Sequence, residues 1–122
     1  MNSSVNVLAD KSYQFSISII RLYQSITKEH KEYVLSKQVL RSGTSIGALI
    51  HESEFAQSKP DFINKLSISL KEANETKYWL SLLSDTDYIT REQHSKLTSE
   101  VNELIAILVA SIKTSKKSIN KL

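Results

Sequence analysis

The sequence predicts an all-α protein: an antiparallel up-down-up-down four-helix bundle formed by residues 1–122 as one domain. Three observations carry this. Two glycines and one proline in 122 residues leave few helix breakers. Apolar residues recur at steps of three and four in four separate stretches. The links between the last three stretches are too short for anything but antiparallel neighbours. A chain of this length can bury a core without metal or disulfides.

The first helix is predicted from about Leu8 to Ile26, where Phe15, Ile19, Leu22, Tyr23 and Ile26 draw one apolar stripe. Asp10 near its start suits the helix dipole. A polar link, Thr27 to Glu32, follows. The second helix runs from about Ser36, a candidate N-cap, to Ala56. It carries Gly43 and Gly47 four residues apart, among Ser42, Thr44, Ser45 and Ala48. Each mid-helix glycine costs about 1 kcal/mol relative to alanine, so close approach of another backbone is expected there.

Ser58-Lys59-Pro60-Asp61 is a sharp start for the third helix, with cap, early proline and acid in order. Phe62, Leu66, Leu70, Ala73 and Leu80 mark its apolar face, broadened by Ile68, Trp79 and Leu82, and Ser84 to Asp87 ends it. Thr90-Arg91-Glu92-Gln93 opens the fourth helix as a capping box. Leu97, Val101, Leu104, Ile105, Leu108 and Ile112 then form the cleanest stripe in the chain. Residues 113–122 form a polar, basic tail that either frays or extends this helix. If the second turn centres near Ser58, Gly43 faces Ala73, Gly47 faces Ser69 and Arg41 faces Glu75 as an ion pair across the hairpin.

The net charge of +3 is unevenly spread. The central residues 42–112 carry more acids than bases, whereas the last ten residues carry four lysines and no acid. Absence of cysteine excludes thiolate chemistry and is compatible with a reducing compartment. No secretory signal is readable, and the longest apolar run, Leu104 to Ile112, is far below the roughly 20 residues of a membrane span. A soluble cytoplasmic protein with no membrane contact is expected.

Gln38-Val39-Leu40-Arg41-Ser42 and Gly43-Thr44-Ser45-Ile46-Gly47-Ala48 carry a family resemblance. It continues through Ser58, Asp61-Phe62, Lys65-Leu66, Leu70-Lys71-Glu72-Ala73, Glu75-Thr76 and Tyr78-Trp79-Leu80. In this order and spacing the stretch resembles the four-helix bundle family named after intervening-sequence proteins of large-subunit ribosomal RNA. Two departures stand out: Leu49 replaces the family's usual asparagine, and Glu52-Ser53 replaces its Glu-Ala. The resemblance implies a bundle that assembles with itself, as a homopentameric ring. It also implies association with nucleic acid, since similar bundles serve as accessory proteins of retroelements.

Lys113, Lys116, Lys117 and Lys121 are the candidate contacts to RNA or DNA phosphates. The bland alternative is a solvated helix end whose lysines suit the dipole. No sequence-reading motif accompanies them, and no aromatics are interleaved with them. Arg41, Gly43, Gly47, Glu72, Glu75 and Trp79 are candidate helix-packing or interface residues. Tyr78-Trp79 offers either a stacking platform for bases or, more simply, core or interface filling. His51-Glu52-Ser53-Glu54 lacks the ligand order and the second copy that a di-metal bundle needs, so no metal or other cofactor is expected. No hydroxyl has a His–acid pair, and no phosphate-cradling glycine loop is present, so no catalytic residues are assigned. The expected role is a non-enzymatic, nucleic-acid-associated accessory protein. The alternative is a structural or protein-interaction module that docks a protein partner and touches no nucleic acid.

Overall fold

The computed structural model describes residues 3–120. They form four helices: α1 (Ser3–His30), α2 (Leu35–Ser53), α3 (Lys59–Asp85) and α4 (Arg91–Asn120). Among the described residues, α1 packs on α2 and α4, α3 packs on α2 and α4, and the diagonal pairs stay apart at the backbone. This is an all-α four-helix bundle. Contacts such as Arg41 with Glu75 and Ile46 with Ser69 pair rising numbers on α2 with falling numbers on α3. Ser81 with His94 and Lys59 with Ser118 do the same for α3 and α4. These pairings are compatible with an up-down-up-down order.

The apolar stripes meet along the bundle axis. Leu8, Phe15, Ile19 and Ile26 of α1 are buried with Val39, Ile46 and Ile50 of α2. Leu66, Ala73, Leu80 and Leu83 of α3 join Val101, Leu104 and Leu108 of α4. Ile68, expected to broaden the apolar face of α3, lies at the surface instead.

Helix ends follow the local chemistry, with one correction. The Ser58 hydroxyl accepts the Asp61 N–H at 3.1 Å, with Pro60 in the first turn. Thr90 and Gln93 form a reciprocal capping box at 3.1 and 2.8 Å. At the end of α3, Tyr88 N–H reaches the Leu83 carbonyl (2.9 Å) and Asp87 N–H the Ser84 carbonyl (3.1 Å). Asp87 there takes φ 67°, the left-handed C′ conformation that asparagine and aspartate tolerate best after glycine.

Ser36 does not cap α2. The Glu32 carboxylate accepts the N–H groups of Val34, Leu35 and Ser36 at 2.9, 2.6 and 2.9 Å, and the Ser36 hydroxyl donates back to the Glu32 carbonyl. A carboxylate placed there satisfies three orphan donors and opposes the positive helix end. Because α1 persists to His30, the link shrinks to residues 31–34. The α2 helix stops at Ser53, before Ala56, and α4 runs straight through the basic segment to Asn120.

Candidate nucleic-acid interface

The α2–α3 seam brings together Arg41, Glu72 and Glu75. Arg41 reaches Glu72 through Nη1 at 3.4 Å and pairs with Glu75 through Nη2. The same Glu75 oxygen accepts the Trp79 indole N–H at 3.0 Å. Below these, the Thr76 hydroxyl bonds Ser42 at 3.0 Å, and the Ser69 hydroxyl donates to the Ile46 carbonyl at 2.9 Å. All four of these groups are buried or nearly so, which is where hydrogen bonding matters most for stability. Trp79 is half-buried and packs against the core, while Tyr78 is exposed beside it. These residues form a stitched packing seam.

Gly43 and Gly47 point elsewhere than the hairpin register suggests. A Cβ on Gly43 would lie 2.9 Å from two side-chain atoms of Ile19, and one on Gly47 would lie 3.2–3.4 Å from Ser16 and Ser12. Their neighbour is α1, not Ala73 and Ser69 of α3. Pairing numbers across a turn gives the level along the axis but not the direction around it. One residue is about 100° of helix, so Ser42 faces α3 while Gly43 faces α1.

Beside Gly47, α1 and α2 leave a surface groove of about 700 Å³, with Tyr13, Ile20, Ala48 and His51 among its walls. Two smaller grooves, about 450 and 280 Å³, lie along the α1–α4 seam and share Ser18 and Arg21. Leu49 is half-buried on α2. No group of three or more metal-ligating side chains occurs among the described residues. His30 stacks edge-on against Tyr88, His51 against Phe55, and His94 lies 3.3 Å from Ser81. Among the described residues, no helix is long and apolar enough to cross a membrane.

The basic segment is helical. Lys113, Lys116 and Lys117 are exposed on the last turns of α4 and, among the described residues, pair with no carboxylate. Lys121 lies outside the described residues. Lys59, at the start of α3, donates to the Ser118 hydroxyl at 2.8 Å and so joins the lysines of α4. In sequence it stands 54 positions from Lys113, outside the basic tail. The antiparallel α3–α4 hairpin closes that gap. The acids near this end are partly engaged: Glu52 sits 4.0 Å from Lys65, and Asp61 accepts the Gln57 N–H at 3.2 Å.

Fold and surface together define a small helical bundle with a lysine-bearing end. A family model described as 23S rRNA-intervening sequence protein matches residues 6–110, and the chain belongs to that family. The chain is also similar to a crystal structure of a protein of unknown function from the S23 ribosomal protein family of Bacteroides thetaiotaomicron. Identity is 55%, the TM-score is 0.89, and the match covers 90% of this chain and 98% of that one. No curated protein matches.

Proposed function

We propose that this protein is a non-enzymatic accessory protein that assembles with itself in the cytoplasm and holds RNA or DNA by the phosphate backbone. The carrying observation is the cluster of lysines at one end of the bundle: Lys113, Lys116 and Lys117 on α4 with Lys59 of α3 beside them. The description of the family, 23S rRNA-intervening sequence protein, supports a nucleic-acid setting. In a homopentameric ring the cluster recurs in every subunit, so a weak site gains avidity from repetition. Each neutralised phosphate releases counterion, and binding of this kind weakens steeply with salt.

Fluorescence anisotropy of labelled RNA and DNA at low and physiological salt tests this reading. Replacement of Lys113, Lys116, Lys117 and Lys121 by glutamine is expected to lower affinity for every sequence alike. It also flattens the salt slope by roughly 0.7–0.9 per lost phosphate contact. Absence of binding at low salt overturns it. Light scattering that returns a monomer removes the ring.

A second reading is favoured by the α1–α2 groove, where Tyr13 and Ile20 are exposed beside Gly47 and Ala48. Such a groove fits a helix of a partner protein. A Tyr13→Glu, Ile20→Glu double variant that lost a protein partner while keeping nucleic-acid affinity would favour it.

A further inference from the structure

We infer that the lysine-bearing end prefers single-stranded nucleic acid, with Phe55 as the surface on which a base stacks. This rests on the backbone-binding reading above and goes beyond it to the class of strand. Phe55 is 73% exposed, in the turn between α2 and α3. It is held rather than loose: its N–H bonds the Glu52 carbonyl at 3.0 Å, and its ring meets His51 edge-on at 5.5 Å. The ring takes no part in the core.

Phe55 precedes Lys59 by only four positions, a span of at most about 14 Å even when fully extended. Lys59 in turn bonds Ser118, among the α4 lysines. The sequence shows no aromatic interleaved with the tail lysines, but the fold brings one to the same end of the bundle. Tyr33 lies at the opposite end, in the α1–α2 link, and Tyr13 and Tyr78 sit on helix flanks. Lysines that track phosphates beside an exposed ring form the pattern of sequence-tolerant single-strand binding. A duplex keeps its internal bases stacked on one another and offers the ring only its terminal pairs.

The test uses three labelled probes of equal length, roughly 12 nucleotides, within the usual footprint of such sites: oligouridylate RNA, an abasic phosphodiester strand and a blunt duplex. The full chain is expected to bind oligouridylate about fivefold or more tighter than the abasic strand. Phe55→Ala is expected to abolish that margin and leave duplex binding unchanged. Phe55→Tyr is expected to retain it. Circular dichroism should show unchanged melting, since the ring packs on nothing in the core. Equal binding of oligouridylate and the abasic strand overturns the inference, as does a margin that survives Phe55→Ala. Either result leaves the backbone-binding reading standing. Failure of all three probes to bind at low salt removes both.

Discussion

The seams around α2 and the seam between α1 and α4 join similar amphipathic helices in unlike ways. On one side α2 meets α3 through buried hydroxyl bonds and an arginine shared by two glutamates. On the other side it meets α1 where glycine removes the side chain altogether. Between α1 and α4 the backbones approach least, and the pairing of Lys11 with Glu103 spans the surface. Small residues let backbones approach, and only at that approach can short hydroxyl side chains bond across a seam. Where the facing residues are the long Arg21, Lys96 and Glu100, the helix backbones stand farther apart.

Substitutions that close this difference should hurt most. A Cβ at position 43 lands 2.9 Å from both Cγ atoms of the fully buried Ile19. Gly43→Leu is expected to cost about 3 kcal/mol from overpacking, less up to about 1 kcal/mol regained in helix propensity. Thermal melting would show a fall on the order of 10 °C. A variant that melts like the parent would remove the close-approach account of this seam.

Thr76→Val comes next. It keeps the shape but leaves the buried Ser42 hydroxyl without its partner across the seam, for a loss of about 1–3 kcal/mol in urea unfolding.

Glu32→Gln tests the link that brings α1 into α2. Burial raises the Glu32 pKa, but the N–H bonds from Ser36, Leu35 and Val34 outweigh it, and the group ends below its ordinary value. Its folded pKa lies below its unfolded one. The stabilisation is therefore complete above the unfolded value and is lost as pH falls through the folded one. At neutral pH Glu32→Gln is expected to cost about 1 kcal/mol, as losses of helix caps do. The gap between the two melting curves should close in acid, and a gap independent of pH would contradict the charged cap.

The smallest effect belongs to the α1–α4 seam. Lys11→Ala should change stability by less than about 0.5 kcal/mol, because both partners are about half exposed and water screens the pair. A larger loss would place this seam among the tight ones.

Much of this was legible in the residues. The Ser58 and Thr90 caps, the stripe of α4 and the Arg41–Glu75 pair follow from spacing and capping chemistry alone. The direction of Gly43 and Gly47 did not, because azimuth depends on how four helices settle together. The cap at Glu32 was hidden for a different reason: it comes from two residues before the N-cap Val34, and an acid in a polar link has no periodic signature. Of the candidate interface, the four tail lysines were readable as a composition shift. Lys59 and Phe55 were not, since their relation to α4 exists only once α3 folds back along it.

The bond from the Trp79 indole to Glu75 has a practical consequence. The chain has a single tryptophan, and its N–H is tied to the carboxylate that also holds Arg41. Its emission is thus a built-in optical gauge of this seam and of the part of the core beside it. Spectral changes that precede loss of helicity would time the parting of α2 from α3 without any added label.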